Sequence, residues 1–464
     1  MRFIFGIIMT LGLLLASCRE DINFETTDAS ALRFSQDTLV LDTVYSQVRS
    51  ETYAFKVYND SDKDIKIPQI TLEKGQNSMY KINVDGQSGV SFQNIPLRKK
   101  DSLYVFVEVA PVANAPEALE IDRVLFGNAS KGVTLMSVVQ DAEFFVSTKD
   151  QPKTIDQNTI WTHNKAKIIM GELSVAEGKT LTIEQGTKVY FYKDSGLKIS
   201  KNAVLKVNGD YKKEVLFRGE KNSPKYDTIP ANWNGIRLEE GALAEINYAK
   251  IFGGNTGLKL NHAKANLKNT IIHTFQDYGI FGNNADLKAE NLVVNNCGQS
   301  NIGIVKGGNY ELLHATLVNY FSMGSVQGSL GIEAANEWKD GDQPATYAPL
   351  NLTLKNSIVY NKTDNAIVLK PTSGQVFDYQ FQNILTKYSA KDAGYAWDSN
   401  PNITQSIKNE DPLFIHRFIE KMNLRLQPQS PARGKGNNVV AQQVPLDITK
   451  VSRLNQPNLG AYQE

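Results

Sequence analysis

The side chains that could carry acid–base chemistry are spread along the chain without a recognisable cluster. Histidine is the usual general acid or base near neutral pH, yet no histidine here has the flanking glycines of a catalytic loop: His163, His262, His273, His314 and His416. Three basic residues, Arg237, Lys306 and Arg433, are isolated, and no motif gathers carboxylates beside them. The sequence therefore assigns no catalytic residue.

Four residues in two irregular segments have side chains of the kind that sugar-binding sites use. One segment contains Trp338 and Asp340, and the other contains Tyr395 and Trp397. Aromatic rings offer large, rigid apolar faces, and a carboxylate accepts hydrogen bonds from hydroxyl groups. We therefore predict that these four residues are glycan contacts.

The beginning of the chain predicts an export signal. An apolar run from Phe3 to Leu15 follows the positive charge of Arg2 and is too short to be a permanent membrane span. The run ends in Leu15-Ala16-Ser17-Cys18, which resembles the lipobox of bacterial lipoproteins. Cleavage between Ser17 and Cys18 would leave Cys18 as the lipid-bearing first residue. The alternative is an ordinary secretory signal followed by a chance cysteine.

The residues after the signal indicate where the protein resides. The acidic start Arg19-Glu20-Asp21 resembles the surface-export signal of lipoproteins in the Bacteroidota. We therefore predict an outer-membrane lipoprotein on the cell surface or the periplasmic face, with the leaflet left open. If Cys18 carries lipid, Cys297 has no partner for a disulfide, so the stability of the protein depends on its core.

Composition and charge exclude several classes of protein. The chain has 50 Lys and Arg residues against 49 Asp and Glu, and no basic stripe with interleaved aromatics, so nothing supports nucleic-acid binding. No phosphate loop, dinucleotide fingerprint or Cys/His metal constellation is present. We expect no cofactor, with calcium possible only if the protein is a lyase. The sequence leaves the oligomeric state open.

The amino-terminal part has the pattern of a β-sandwich. Apolar and polar residues alternate in short runs such as Tyr53 to Tyr58, Leu103 to Val109 and Val133 to Val139. Turn-forming residues such as Asp85-Gly86 separate the runs. About seven runs in about 115 residues fit an immunoglobulin-like sandwich.

A repeat begins further along the chain. Apolar pairs spaced i, i+2 begin at Leu181, Val189, Leu197 and Leu205, so the interval from one pair to the next is constant. Each pair predicts a strand too short to be stable alone. Three such arms make a coil of about 24 residues, close to one turn of a three-sided parallel β-helix in which each arm pairs with the arm one coil away.

A longer-range column supports the same architecture. His273, Asn295, Asn319 and Asn361 each follow an apolar doublet or triplet. The first two separations are close to one coil, and the third is close to two. Asparagine tolerates left-handed backbone conformations, and its amide can bond to its counterpart in the next coil. We therefore predict a ladder of these residues at one corner, in which His273 has a structural role.

Two stretches resemble the pectin-lyase-like right-handed β-helix proteins, especially the uncharacterised lipoproteins of that group. The first begins at Trp233-Asn234-Gly235-Ile236 and continues through Asn269-Thr270-Ile271-Ile272. The second includes Ser430 to Gly434, Asp447, Arg453 and Leu459 to Tyr462, and is similar to the closing segment of such helices. The resemblance implies a fold but no activity, because this fold hosts enzymes and inert scaffolds. Beside Gly235, Trp233 suits a structural corner.

These observations predict an all-β chain in which a right-handed parallel β-helix follows an immunoglobulin-like sandwich. Segments 322–349 and 389–402 interrupt the repeat, either as walls of a groove or as plain surface loops. The predicted bounds are a signal peptide at 1–17, a tether at 18–29, the sandwich at 30–145, the β-helix at 146–404, and the last coils and a carboxy-terminal cap at 405–464.

The sequence leaves three functions open. The first is a lipid-anchored protein that binds surface polysaccharide without catalysis. The second is a polysaccharide lyase or glycosidase whose residues lie on neighbouring coils, where linear motifs do not reveal them. It predicts a groove on one sheet face with two or three carboxylates, or with a base beside a carboxylate, within ~10 Å. The third is an architectural or adhesive protein with a featureless face.

Overall fold

A computed structural model describes residues 24–27, 31–45, 49–110, 118–127, 131–221, 224–323, 326–327, 329–339 and 341–464. The predicted signal cleavage and lipid sites, Ser17 and Cys18, lie outside these residues, as does Asp340. The chain divides into two compact units, the first reaching to Asp141 and the second running Ala142–Glu464. Within the described residues, no helix has the length and apolar character needed to cross a membrane.

The first unit is a β-sandwich of two sheets. One sheet has seven strands, in the order β1-β6-β11-β12-β3 with β4 and β9 at its sides, and the other has five, in the order β2-β5-β10-β7-β8. The strands are β1 (Glu25–Thr26), β2 (Leu32–Phe34), β3 (Thr38–Val40), β4 (Val44–Tyr45), β5 (Tyr53–Asn59), β6 (Ile65–Leu72), β7 (Tyr80–Val84), β8 (Gln87–Gly89), β9 (Ser91–Leu97), β10 (Ser102–Val109), β11 (Ala118–Phe126) and β12 (Gly132–Gln140).

The sandwich core follows from the alternation in its strands. In β12, Val133, Leu135 and Val139 are fully buried, and in β10, Val105 and Val107 are fully buried. A period of two places these side chains on one face of each strand, so the two sheets bury a common apolar layer. The observed strands include the predicted runs. They also include strands of two or three residues, which the sequence does not reveal because such short strands show little periodicity.

The second unit contains a solenoid sheet of 26 strands, and two short hairpins project from it. The strands are β13 (Ala142–Val146), β14 (Lys153–Ile155), β15 (Thr159–Trp161), β16 (Ala166–Met170), β17 (Glu172–Val175), β18 (Thr180–Glu184), β19 (Lys188–Phe191), β20 (Gly196–Ile199), β21 (Val204–Asn208), β22 (Val215–Gly219), β23 (Gly235–Leu238), β24 (Leu243–Asn247), β25 (Ala249–Phe252), β26 (Thr256–Asn261), β27 (Lys264–Lys268), β28 (Ile271–Phe275), β29 (Tyr278–Glu290), β30 (Val293–Cys297), β31 (Ser300–Leu313), β32 (Thr316–Asn319), β33 (Ser322–Met323), β34 (Val326–Gln327), β35 (Leu330–Ala335), β36 (Glu337–Trp338), β37 (Thr346–Tyr347), β38 (Leu350–Asn361), β39 (Ile367–Lys370), β40 (Phe377–Thr386), β41 (Ile403–Thr404) and β42 (Ile407–Lys408).

The coil length predicted from the apolar pairs is confirmed. Leu181 pairs in parallel register with Leu205, and Ile183 pairs with Val207, which places each arm beside the third arm after it in the chain. These four side chains are at most 1% exposed. Each contributes roughly 1.5–3 kcal/mol by leaving water. The prediction of an all-β chain with a parallel β-helix after a β-sandwich is therefore confirmed.

Parallel pairing between coils generates three long faces. The polar face consists of β15, β18, β21, β24, β27, the second halves of β29 and β31, the first halves of β38 and β40, and β41. The aromatic face consists of β14, β17, β20, β23, β26, the first halves of β29 and β31, β35 and β39. The covered face consists of β13, β16, β19, β22, β25, β28, β30, β32, the second halves of β38 and β40, and β42.

The predicted asparagine column is wrong in register. His273 aligns with Asn295, but Asn295 aligns with Val318 rather than with Asn319. Asn319 aligns with Asn361, so the four residues fall into two neighbouring columns. The interval from Asn295 to Asn319 is one position longer than this coil, because the coil that begins at Asn295 is complete at Val318.

A different column forms the asparagine ladder, at the corner that ends the polar face. Its side chains bond from coil to coil: Asn291 Nδ2 donates to Asn269 Oδ1 at 2.8 Å, and Asn269 Nδ2 donates at 2.9 Å to Oδ1 of Asn247, which lies one position before the corner of the preceding coil. The corner needs a left-handed backbone, which asparagine tolerates better than most residues. The residues with φ of 50–53° at this corner are Tyr248, Asn269, Asn291, His314, Asn356, Asn383 and Gln405.

The carboxy-terminal strap, residues 411–464, packs along the covered face. It contains β43 (Phe414–His416), β44 (Asn423–Leu426) and the short helix α1 (Asn438–Gln443). Its apolar side chains pack on outward apolar residues of the solenoid, among them Val293, Val318, Ile358 and Leu385. This explains why β30, β32 and the second halves of β38 and β40 carry apolar residues on both sides, since both sides are buried there.

The residues that resemble a closing segment lie in this strap. Arg453 is fully buried, and its guanidinium donates to the carbonyls of Leu446 at 2.6 Å and Gly460 at 3.1 Å. Burial lowers the pKa of Arg453 to about 10. The carboxylate of Asp447 accepts hydrogen bonds from the backbone amides of Val451 and Gln463. These contacts fold the end of the strap onto itself.

The prediction that residues 322–349 form a single non-repeating excursion is wrong in part. Leu330–Ala335 is a solenoid strand, β35, and pairs in parallel with β31. Hairpins lie on either side of it in sequence, β33 with β34 and β36 with β37. The polar residues of these hairpins break the apolar pattern around β35, which hides the strand in the sequence. Within residues 389–402, Ala393 is fully buried, and its carbonyl accepts from the amide of Leu369.

Candidate functional site

Three aromatic side chains meet on the outside of the aromatic face. Phe281 lies in a column that runs Lys259, Phe281, Gly303, Glu333 from coil to coil. The ring of Tyr278 lies 5.2 Å from that of Phe281, centre to centre, and the ring of Trp338 lies 6.3 Å from it in an edge-to-face arrangement. Trp338 is 37% exposed. The three rings form an aromatic surface open to a ligand.

The rings of Tyr278 and Trp338 line a shallow cavity of about 290 Å³, the aromatic pocket, and the Phe281 ring packs against both of them. Its polar side chains are Glu333, Glu337, Lys370 and the phenol of Tyr278. A pocket of this kind, largely apolar with a few polar groups, is the usual form of a small-ligand site. The remaining lining residues are Gly303, Ile304, Val305, Ala335 and Trp338.

Gly303 provides the space in which the Tyr278 ring lies. A Cβ at Gly303 would be 2.5 Å from a carbon of that ring, closer than two carbons can approach. The Tyr278 hydroxyl donates to Gln299 Oε1 at 2.5 Å, and Gln299 Nε2 donates to Asp277 Oδ1 at 3.2 Å. Burial, followed by the charges of Glu333 and Asp277, raises the pKa of Tyr278. The phenol therefore stays neutral and fixed.

A buried asparagine anchors the hairpin that carries Trp338. Asn336, fully buried at the base of β36, donates from Nδ2 to the carbonyl of Val376 at 3.2 Å. Its Oδ1 accepts from the amide of Thr372 at 2.9 Å. At the other side of the hairpin, the hydroxyl of Thr346 donates to the carbonyl of Trp338 at 3.2 Å. These bonds hold the indole beside Phe281.

The second predicted aromatic pair lies in a separate cluster. Tyr395 packs against the solenoid core, with its ring 5.8 Å from Phe381, and burial raises its pKa. Trp397 lies 5.5 Å from Tyr388, and the Lys408 ammonium lies 5.8 Å from its ring. These ring contacts join Tyr395 and Trp397 through Tyr388, whereas Trp338 contacts Phe281, so the structure places the predicted glycan contacts in two groups.

The polar face carries a larger groove, of about 560 Å³. Its charged groups bind one another from coil to coil: Lys264 pairs with Asp286 at 3.4 Å, and Asn309 donates to Asp286 at 2.8 Å. Lys288 and Glu311 occupy facing positions on adjacent coils. The groove thus meets the condition set for an enzyme, a base beside a carboxylate. Several of its groups nevertheless bind one another from coil to coil, since Asn351 Nδ2 also donates to Asn309 Oδ1 at 2.8 Å.

Two of the basic side chains singled out in the sequence, His273 and Arg237, have structural environments. The half-buried ring of His273 stacks on Phe252 at 4.6 Å, and desolvation, with Lys250 and Arg218 nearby, lowers its pKa to about 3. Arg237 forms ion pairs with Glu172 at 2.9 Å and with Glu239 at 3.1 Å. Neither His273 nor Arg237 lines the aromatic pocket, whose carboxylates are those of Glu333 and Glu337.

Two residues singled out in the sequence are buried in the solenoid. Trp233 is fully buried, stacks on Phe191 at 4.1 Å and donates from Nε1 to the carbonyl of Phe252 at 2.8 Å, which confirms its structural role. Cys297 is a buried free thiol whose pKa is raised by burial. In the portion of the chain described, no three His, Cys, Asp or Glu side chains are grouped as metal ligands.

The sequence predicts Trp338 as a glycan contact but does not reveal the aromatic residues that lie near it in the fold. Tyr278 and Phe281 lie much earlier in the chain and reach Trp338 only through coil stacking. The coil period places Phe281 and Gly303 at facing positions in the parallel register. The ring that lies in the space at Gly303 is nevertheless that of Tyr278, so the coil period alone does not identify it.

Comparisons with known proteins leave the family open. No family model matches the sequence, and no curated protein matches it. A family 123 glycoside hydrolase from Clostridium perfringens is 9% identical, with a TM-score of 0.18 over 27% of this chain, and the chain spans 26% of its length. The catalytic domain of a GH87 α-1,3-glucanase in complex with nigerose is 9% identical, with a TM-score of 0.17 over 78% of this chain and 92% of its own. At these TM-scores the likenesses carry no argument.

Proposed function

We propose that this protein is a lipid-anchored cell-envelope protein of the Bacteroidota type whose solenoid binds polysaccharide at the aromatic pocket. The observation that carries the proposal is that Tyr278 and Trp338, whose rings both pack against Phe281, line an open cavity with polar groups at its edge. Aromatic faces pack on the C–H faces of sugars, while carboxylate and ammonium groups bond to hydroxyls. Such a pocket favours ligand recognition over a purely architectural role.

Calorimetric titration of residues 19–464 with a panel of oligosaccharides tests this function. A binding oligosaccharide is expected to lose about tenfold in affinity in Trp338→Ala, since losing one sugar-stacking ring costs roughly 1.4 kcal/mol. Trp397→Ala is the matched control, because Trp397 is also a half-exposed tryptophan but lies in the other aromatic cluster.

The control also separates the two sites. Equal binding by wild type and Trp338→Ala would refute the role of the aromatic pocket. Loss in Trp397→Ala instead would move the contact to the cluster of Tyr395 and Trp397, which the sequence predicts as glycan contacts alongside Trp338. If no oligosaccharide in the panel binds, the proposed polysaccharide-binding function is refuted.

The anchor belongs to the same proposal and rests on the sequence around Cys18. A lipid-linked protein presents its solenoid to material outside the membrane, and three acyl chains hold it stably, at ~0.8 kcal/mol per buried methylene. Mass spectrometry of the mature amino terminus is expected to find lipid on Cys18. An unmodified cysteine, or cleavage at another residue, would contradict the anchor without affecting the aromatic pocket.

A further inference from the structure

The charges that line the aromatic pocket do not cancel. The Glu333 carboxylate is paired with the Lys370 ammonium. Glu337 also lines the pocket, and its Oε2 accepts a hydrogen bond from the hydroxyl of Thr372 at 3.0 Å, which satisfies the oxygen but leaves its charge. Counting only the lining residues, two carboxylates face one ammonium. A ligand that fills the pocket therefore meets, at Glu337, a carboxylate that has no ion-pair partner among the lining residues.

The aromatic rings add to this preference. The face of an aromatic ring is the negative part of its quadrupole and attracts cations. The molecule already uses this interaction at the edge of the site, where the Lys259 ammonium lies 5.5 Å from the centre of the Phe281 ring. The indole of Trp338, the strongest cation-binding ring of the three types, is the most open to solvent.

We propose that the aromatic pocket takes a sugar unit with a free amino group, whose ammonium lies beside Glu337 and the rings of Trp338 and Tyr278. This inference rests on the polysaccharide-binding function proposed above and names the class of its ligand. The ammonium gains both the carboxylate and the aromatic faces. A uronate or sulfated sugar in the same place would bring its anion beside Glu337 and against the negative ring faces.

The position of Lys370 fits the same ligand. Its ammonium is held by Glu333 on the neighbouring coil, with 59% of its side chain exposed. Lys370 thus neutralises Glu333 and lets Glu337 act as the discriminating charge. Replacing Glu337 by glutamine keeps an acceptor for the Thr372 hydroxyl, since the amide oxygen can take the place of the carboxylate oxygen.

Three oligosaccharide probes of equal length test the inference: oligomers of glucosamine, of N-acetylglucosamine and of galacturonate. Titrations of residues 19–464 at low salt and slightly acidic pH, where the sugar amine is charged, are expected to favour the glucosamine oligomer over the N-acetylated one by about fivefold. Glu337→Gln is expected to abolish that preference. Glu177→Gln, which removes a charge from an exposed turn of the solenoid, is expected to retain it.

The outcomes separate this inference from the function beneath it. If the galacturonate oligomer binds best, or if Glu337→Gln leaves the order of affinities unchanged, the amino-sugar inference is overturned while the site stands. If all three probes bind equally and Trp338→Ala weakens them equally, the inference is again overturned and the function stands. If neither these probes nor the wider panel binds, both are lost.

Discussion

At the scale of single residues, Gly303 shapes the aromatic pocket as directly as the rings do. Its missing Cβ is the space that the Tyr278 ring occupies, and its φ lies outside the left-handed region. A methyl group there would therefore collide with a side chain and leave the backbone unstrained. The ring can swing away only by losing the bond from its hydroxyl to Gln299.

Gly303→Ala is accordingly expected to weaken oligosaccharide binding about fivefold, because it moves one wall of the pocket, a change of roughly 1 kcal/mol. Stability should change little, since the displaced group is the end of a half-exposed side chain. Calorimetry measures the first effect and the urea midpoint the second. Tyr278→Phe, which keeps the ring, should bind nearly as wild type. Full affinity in Gly303→Ala would mean that Tyr278 is not part of the binding surface.

The sequence could identify Trp338 because a tryptophan in a polar, irregular segment stands out. It could not identify Glu333 and Glu337 as its partners, because the hairpin residues around β35 make the whole segment look like one excursion. Tyr395 illustrates the opposite problem. Its irregular segment suggested exposure, whereas Tyr395 packs against the solenoid core. Composition alone does not tell a binding loop from a loop that covers a core.

At the scale of elements, the strap meets the asparagine ladder at His314. Asn356 Oδ1 accepts from the amide of Asn437 at 2.7 Å, and Asn356 Nδ2 donates to the carbonyl of Asn437 at 3.0 Å. These bonds fix the amide, so the second proton of Nδ2 points to His314 Nε2, 3.0 Å away. Nε2 must then be an acceptor, and Nδ1 carries the proton that faces the carbonyl of Gly460 at 3.3 Å.

Protonation of His314 would place two donors against each other. It would also add a positive charge near the buried Arg453, whose guanidinium donates to the same Gly460 carbonyl. The negative charge of Asp447 already stabilises the charged form of Arg453. Burial, then Arg453, holds the pKa of His314 well below its ordinary value. The imidazole is therefore neutral in the folded protein and titrates normally in the unfolded chain.

This difference predicts an acid-dependent loss of stability. Below about pH 6.5 the unfolded chain binds a proton at His314 that the folded protein does not, so the free energy of unfolding falls as the pH falls, by up to ~1.4 kcal/mol per pH unit. His314→Asn, a residue that the same corner already uses, should reduce this slope by about one proton. Urea unfolding between neutral and mildly acidic pH measures it.

His163→Asn is the control for this prediction, because His163 is exposed and should leave the slope unchanged. His273 retains its own contribution in both variants, since its pKa of about 3 also lies below the ordinary value. An unchanged slope in His314→Asn would mean that the imidazole is already charged, or already exposed, in the folded protein.

The elements themselves were predictable where the repeat was strict. Consecutive arms of equal length indicated the coil and its inward side chains, because every inward position must be apolar for coils to stack. The asparagine ladder was not predictable in the same way. Coil length changes by single residues between neighbouring coils, so a fixed spacing drifts from one column into the next.

At the scale of the whole molecule, the three faces of the solenoid differ in what covers them and in which side chains they expose. From β28 onward the covered face is buried beneath the strap, and the polar face carries charges and amides of which several bind one another from coil to coil. The aromatic face combines clustered, partly exposed rings with a cavity. The sequence predicted the solenoid, since a period is a global signal. It could not predict the division of faces, which depends on where a distant strap packs.

The most direct test of this account is hydrogen exchange of residues 19–464 with and without a saturating oligosaccharide. We expect backbone amides to exchange more slowly with the oligosaccharide bound in residues 278–283, 300–305 and 330–338, which carry the rings and carboxylates of the aromatic pocket. Exchange in 264–268 and 350–355, on the polar face, should stay the same. Protection confined to the polar face or to the sandwich, with no change around Trp338, would contradict the assignment of the aromatic pocket as the binding site.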